Sequence, residues 1–401
     1  MLRRALILAL LLAPAAAAAQ TRPDPRTDAR MHVGPFYVTP TAQLRNLGID
    51  TNVFNESEDP KSDFTYTLAP RIDMWLPVTR RFLLTTRTEA GLVYYQKYSD
   101  QRSIDPQVAV RGDILMRRLS VFAENDFKWS KERSNLEIDD RVRQRVNTTR
   151  VGVNFGLTPK FSTEASLYQT TYDFDPSLAT VRAINYRAGL KRNERGLRLG
   201  LSHRLTSKTT LLLEGETLRA RFDFAGVKNA DGFRISPGVT FSPRALIAGT
   251  AKIGFRRFMP LNENVPEFQG AVASLNLGYT AFGATRITFE TSRDLAYSYE
   301  VSQPYYVSTG VGGSIRRQVR GDIDAVVSAR RTRQSYRALA EVTTGLRSDL
   351  ILNYSANVGY RLTRDARVGF VVNWQRRESS AGTLRAYRGV TAGLSLTYGS
   401  F

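Results

Sequence analysis

Acidic and basic side chains recur at alternate positions along most of this chain, and the chemistry that spacing offers is electrostatic rather than covalent. The cations are Arg71, Arg87, Arg111, Arg198, Arg204, Lys252, Arg256, Arg316 and Arg361. The anions are Glu89, Asp113, Glu124, Asp126, Glu164, Glu214, Glu216, Glu290, Asp294, Asp322 and Asp324. Gathered on one face around a water-filled space, opposed rows of these groups would set up a transverse field and select among polar solutes. The plainer alternative is pairing between neighbouring strands that stiffens a wall.

Covalent and metal chemistry are poorly supplied. The 401 residues contain no cysteine, which excludes a disulfide scaffold, a thiolate zinc site, a cysteine nucleophile and a lipoprotein anchor. His32 and His203 are not spaced as metal ligands, and no acid or amide is placed by sequence to orient His203. His203 reads as an interfacial residue, and a lipid-acting hydrolase built on it is a third choice of function. No Gly-rich phosphate loop stands between a strand and a helix. The sequence therefore points to no catalytic residue, no metal and no cofactor.

The elements that must position the charged rows have period two. Phe82, Leu84, Thr86, Thr88, Ala90, Leu92 and Tyr94 would share one strand face, against Leu83, Thr85, Arg87, Glu89, Gly91, Val93 and Tyr95 on the other. A helix would set Arg87 and Glu89 about 200° apart and scatter the apolar set. The same alternation recurs at Leu197–Leu205, Ile287–Tyr299, Leu350–Arg361 and Val368–Arg377. Two stretches fit it badly. Around Arg45–Leu47 parity is lost, which predicts a bulge or a later strand start. In Leu211–Phe224, Glu214 and Glu216 share parity with Leu218, Phe222 and Phe224, so the acids read as inward-facing and the aromatics as a flared or bulged end.

The connections alternate as well. Short turns fall at Thr79-Arg80, Arg117-Arg118, Thr158-Pro159-Lys160, Thr206-Ser207-Lys208, Pro243-Arg244, Phe282-Gly283-Ala284, Val319-Arg320-Gly321 and Arg364-Asp365. Longer polar segments such as 130–145, 175–194 and 260–267 lie between them. Eight turns and nine loops imply 18 strands with both termini on the short-turn side. The fold class is all-β: a transmembrane antiparallel up-and-down β-barrel of about 18 strands (16–18), with short periplasmic turns and long extracellular loops. Tyr94, Tyr98, Trp129, Tyr297, Tyr299 and Trp374 fall where strands enter the long loops and read as an aromatic girdle. No segment reads as a subunit interface or a latching loop, so a trimer is not expected.

Two addresses frame the barrel. Residues 1–19 carry Arg3 and Arg4, an apolar core from Ala5 and an alanine run, the order of a signal peptide. The expected division is a signal peptide over 1–19, a short periplasmic segment over 20–34 and a barrel over 35–401. At the other end, Val390, Ala392, Leu394, Leu396 and Tyr398 alternate before a terminal Phe401, like the assembly signal of an outer-membrane barrel.

The formal charge is +20. Nucleic-acid binding, the usual inference from such a balance, is disfavoured by the export signal. Loops and strand ends must hold most of the excess: Lys131, Arg133, Arg141, Arg143 and Arg145, partly offset by Glu132, Glu137, Asp139 and Asp140, then Arg182, Arg187, Arg192, Arg195, Arg330, Arg331, Arg333 and Arg337. At an outer rim these would bind lipopolysaccharide phosphates or draw anionic solutes to the mouth; the alternative is solvated loop charge.

The segments LGIDTNVF (47–54), VGVNFGLTPKFSTEASL (151–167), RGLRLGLSHRLTSKTTLLLEGE (195–216) and YSANVGYRLTRDARVGFVV (354–372) resemble the putative outer-membrane β-barrel porin family often encoded beside exopolysaccharide gene clusters. The resemblance covers most of the chain after the leader and rests on hairpins, so it carries over no site residue. It implies location in the bacterial outer membrane and a part in polysaccharide passage. The function expected is a porin or conduit passing polar solutes or polysaccharide by passive diffusion. The alternative is a plugged barrel that supports an envelope polysaccharide machine. The expected partners are outer-membrane lipid and lipopolysaccharide, the barrel assembly machinery and polysaccharide export components.

Overall fold

The computed structural model describes residues 29–175, 180–181, 184–243, 245–342, 345–382 and 385–399. The leader, Arg182, Arg244 and Phe401 lie outside the described residues.

Eighteen strands form the wall. The first six are β1 (Phe36–Asp50), β2 (Asp63–Pro77), β3 (Phe82–Tyr95), β4 (Ser103–Leu115), β5 (Leu119–Glu132) and β6 (Val142–Gly156). Then come β7 (Phe161–Phe174), β8 (Arg192–Arg204), β9 (Thr209–Phe222), β10 (Ala230–Phe241), β11 (Ile247–Pro260) and β12 (Phe268–Ala281). The last six are β13 (Thr285–Tyr297), β14 (Tyr305–Arg320), β15 (Ile323–Arg337), β16 (Ser348–Arg361), β17 (Ala366–Ser379) and β18 (Tyr387–Tyr398). Each pairs antiparallel with its neighbour, and β1 closes the ring on β18 from Ala42–Tyr398 to Asp50–Thr391. Closure removes the open edge that apolar surroundings would not tolerate. A short strand, Met31–Val33, folds back on Phe36–Val38 through Gly34 at φ +58°.

The two faces divide as the alternation predicts. Outside, Leu199, Ile235, Phe255, Phe289, Val327 and Phe370 are exposed, which an apolar solvent would reward. Directly opposed residues on one face sit close enough to pair, and inside these are the charged groups. The Arg45–Leu47 irregularity is a bulge: β1 slips against β2 between Arg45 and Gly48, with Asn46 at φ +54°.

The Leu211–Phe224 expectation needs correction. The β9–β10 register runs unbroken from Thr209–Phe241 to Ala220–Ala230, so there is no bulge. Leu218, Ala220 and Phe222 keep facing inward with Glu214 and Glu216. Phe222 is buried there with Phe258, Phe268, Leu295, Tyr297 and Tyr305. An apolar residue on the inner face is stable because something apolar inside the barrel covers it.

That cover is a hairpin that leaves the wall. The β12–β13 ladder ends at Ala273–Arg293, yet β12 stays paired to β11 up to Phe268, while β13 stays paired to β14 up to Tyr297–Tyr305. Beyond Arg293 the β13–β14 hairpin therefore turns into the lumen. Leu295 and Tyr297 are buried against the inner wall, and Tyr299 in the loop beyond is buried too. These three do not join the outward girdle expected of Tyr297 and Tyr299, whereas Trp129 remains exposed outside. A second seam mirrors the first. The β4–β5 ladder ends at Gln107–Lys128, while β5 and β6 pair on to Glu132–Val142.

Candidate functional site

The lumen and its long-loop mouth hold the chemistry. Most of the predicted charges meet there in short ion pairs. On β2–β3, Arg71 and Arg87 share Asp73 at 2.8 and 2.7 Å, and Glu89 takes Arg45 at 3.1 Å. Arg111 lies between Asp113 at 2.8 Å and Glu124 at 2.7 Å, and Arg150 reaches Glu124 at 2.7 Å and Glu164 at 3.4 Å. Glu216 receives Arg198 at 2.9 Å and Arg234 at 2.5 Å. Asp294 receives Arg234 at 3.1 Å and Arg256 at 2.5 Å. Lys252 meets Glu214 at 2.6 Å, Arg330 meets Glu290 at 3.1 Å and Arg367 meets Asp324 at 2.6 Å.

The departures are local. Arg330 belongs to this inner wall rather than to the rim. Asp322 sits in the two-residue turn between β14 and β15, where the strand face has already ended. Arg204 and Arg316 are exposed near the short turns and make no ion pair among the described residues. Arg361 ends β16 and has a partner. Asp126 faces the lumen without an ion pair among the described residues. The partners Arg45, Asp73, Arg150, Arg234 and Arg367 were not singled out from sequence; Asp73 alone shares a strand and parity with a residue that was, Arg71. The His203 ring lies tilted against Phe161 at 5.7 Å, and its Nδ1 is buried without a hydrogen-bond partner among the described residues.

Sequence reasoning missed the mouth entirely. Loop 133–141 follows β5 and loop 298–304 follows β13, eight strands apart in a ring of 18. Such loops can meet only by crossing the opening. The Glu137 carboxylate accepts Ser298 Oγ–H at 2.6 Å and the Tyr299 amide at 3.2 Å. Glu137 and Ser298 are fully buried. Lys228 Nζ, from a third loop, donates to Ser298 O at 2.7 Å and Gly189 O at 3.0 Å. Gly189 lies in the short helix Tyr186–Leu190, where a Cβ would stand 2.2 Å from Tyr299 O. Only glycine permits that approach.

Buried arginines complete the closure. Arg347 binds Asp349 through Nε at 3.0 Å and Nη2 at 2.5 Å, and reaches Glu300 at 3.2 Å and Glu137 at 3.5 Å. Arg377 of β17 holds Asp139 of the crossing loop at 2.6 Å. Other arginines staple the seams. Arg143 Nη1 donates to Ile104 O at 3.0 Å, and Arg293 Nε to Ala271 O at 3.2 Å, on carbonyls of strands whose neighbour has turned inward. Much of the expected solvated loop charge is thus spent on fixing the mouth. Burial pushes the Glu137 carboxyl up to about 7, against the pull of Ser298 and Arg347. It pushes the Lys228 ammonium down to about 8.

Beneath the crossed loops lies a cavity of about 920 Å³, near the top of the ~300–1,000 Å³ range that encloses small-molecule ligands. Arg150, Arg198, Arg234 and Arg256 line it with Glu124, Asp126, Glu216, Tyr168 and Tyr172. Cations and anions alternate around it, so it can exchange hydrogen bonds with a polar solute of either sign.

Residues 24–398 match the family model described as "Putative beta-barrel porin 2". No curated protein matches the chain. Among solved structures, the outer membrane protein OpdK from Pseudomonas aeruginosa is similar with a TM-score of 0.50 at 8% identity, over 90% of this chain and 98% of that one. OpdO from Pseudomonas aeruginosa gives 0.49 at 10% identity, over 90% and 96%. The siderophore receptor PirA from the same organism gives 0.44 at 10% identity, over 90% and 79%. The likeness to OpdK shows a shared barrel fold.

Proposed function

The chain belongs to the family described as putative beta-barrel porin 2 and is a β-barrel of the bacterial outer membrane, and from that premise we propose that it is a gated conduit for polar solutes. The observation that carries this reading is the mixed-charge cavity of about 920 Å³ lying directly under the crossed loops. A packed structural barrel would have no use for a polar chamber there. The solute crosses by diffusion, exchanging its hydration for the paired arginines and carboxylates of the wall. A glycan suits the same lumen, since its hydroxyls both donate and accept, and we extend the proposal to polysaccharide passage in partnership with export components. Insertion through the barrel assembly machinery is the expected role of the β18 alternation.

The docking of Glu137 on Ser298 favours a second reading, a plugged barrel that serves an envelope polysaccharide machine. Single-channel recording in a planar bilayer separates the two. The conduit reading expects discrete openings in the wild type that become frequent in Arg347→Ala. Silence in both proteins, with the barrel correctly folded, would decide for the plugged barrel.

A further inference from the structure

One groove lies on the outer face, where no lumenal role reaches. It crosses β13–β17 along a single cross-strand row: Phe289, Gly313, Ala329, Tyr354 and Trp374. Glycine and alanine leave the wall notched between Phe289 and the Tyr354–Trp374 pair, whose ring centres are 5.3 Å apart. The groove has a volume of about 710 Å³. Its lining is apolar, and it opens on the bilayer.

The rim above it is cationic. Arg331 is two residues outward of Ala329 on the same face of β15, a rise of ~7 Å, and Arg333 is two residues further. Both are exposed. Arg333 Nε donates to Ser348 Oγ at 3.4 Å, and neither arginine forms an ion pair among the described residues. Arg376, in the same row as Arg331, is held by Glu378 at 2.8 Å. Unneutralised guanidinium groups on a membrane-facing wall call for an anion from the membrane itself. Guanidinium groups bind phosphate with charge-assisted hydrogen bonds.

We propose that this groove is a specific site for a phosphorylated lipid of the outer leaflet, with an acyl chain over Gly313 and Ala329 and a phosphate on Arg331 and Arg333. An apolar slot under an unpaired cationic pair fits that occupant at both ends. The site is independent of what the lumen carries.

Native mass spectrometry of the delipidated barrel in detergent tests this, with diphosphoryl lipid A and its dephosphorylated form as probes. The wild type should retain one diphosphoryl lipid at least tenfold better than the dephosphorylated one. Arg331→Gln with Arg333→Gln should abolish that preference. Ala329→Leu, which fills the slot with an apolar side chain and keeps the outer face intact, should lower retention of both lipids. Heat-modifiable migration confirms that each variant is folded. Equal retention of the two lipids by the wild type would overturn the proposal. So would unchanged retention in the variants, or a lipid-free dimer that Ala329→Leu disrupts, which would assign the groove to a second copy of the chain.

Discussion

Glu137 and Arg347 form a buried ion pair at 3.5 Å where the loops meet over the mouth, and the gated-conduit proposal makes that pair its latch. Removing Arg347 leaves Glu137 buried without its ion-pair partner and Asp349 with only the Arg377 cation at 3.9 Å, and breaking such a buried pair costs about 3–5 kcal/mol. Arg347→Ala should therefore undock the loops, seen as faster proteolysis at 133–141 and more frequent openings. The pH dependence follows from the Glu137 carboxyl, whose value rises from an ordinary 4.5 to about 7 when docked. A carboxyl with a raised value in the docked state weakens docking as pH climbs from about 4.5 to about 7, and the weakening is complete above that. The groups facing it are Arg347, Glu300 and Lys228, and the Lys228 ammonium changes charge only near 8. Open probability should be lower at pH 5 than at pH 7, below the range in which Lys228 titrates, and Glu137→Gln should flatten that profile. An equally steep profile in Glu137→Gln would assign the dependence elsewhere.

The gated-conduit proposal requires the inward-turned hairpins to be released. Each inward turn begins where a ladder stops, at Ala273–Arg293 and at Gln107–Lys128, so across that seam side chains take over, while each segment keeps its backbone pairing to the strand on its other side. The chain has no cysteine, so Glu137→Cys with Ser298→Cys introduces a clean lock. Oxidation should suppress conductance and reduction should restore it; insensitivity to redox state would show that the crossing loops do not limit passage. Strand faces make a second prediction. Leu199 and Phe289 are each about half exposed on the apolar side, and Leu199→Arg or Phe289→Arg should cost ~2–4 kcal/mol in assembly if they lie at mid-bilayer depth. Ser202→Arg, and Ser292→Asp beside the Arg330 guanidinium, place the charge in the aqueous lumen and should be tolerated in urea-refolding titrations.

At the scale of the molecule, the ion pairs and the closure act together. Most inner pairs are partly exposed, so each adds little stability. Their effect is to leave the lumen near neutrality, while arginines without an ion pair among the described residues, such as Arg204, Arg316, Arg317 and Arg320, lie at the short-turn end. The conduit should therefore show weak ion selectivity, read as a small reversal potential in a salt gradient. A strong anion preference would mean that the rim arginines dominate the path.

The barrel itself was legible along the chain, because a strand's side chains alternate by geometry and every second residue must suit a different solvent. Strand count, turn positions, the β1 bulge and most inner charges follow from that single period. Tyr297, Phe222 and Glu137 show where the rule ends. Periodicity tells which face a residue takes, and not what covers that face. Phe222 is buried on the inner face because a hairpin that begins four strands away folds over it, and Glu137 is buried because loops from opposite walls meet. Those contacts join residues far apart in the chain through backbone that has left the ladder, so no local pattern encodes them. The tertiary structure alone decided that loops from opposite walls meet across the mouth.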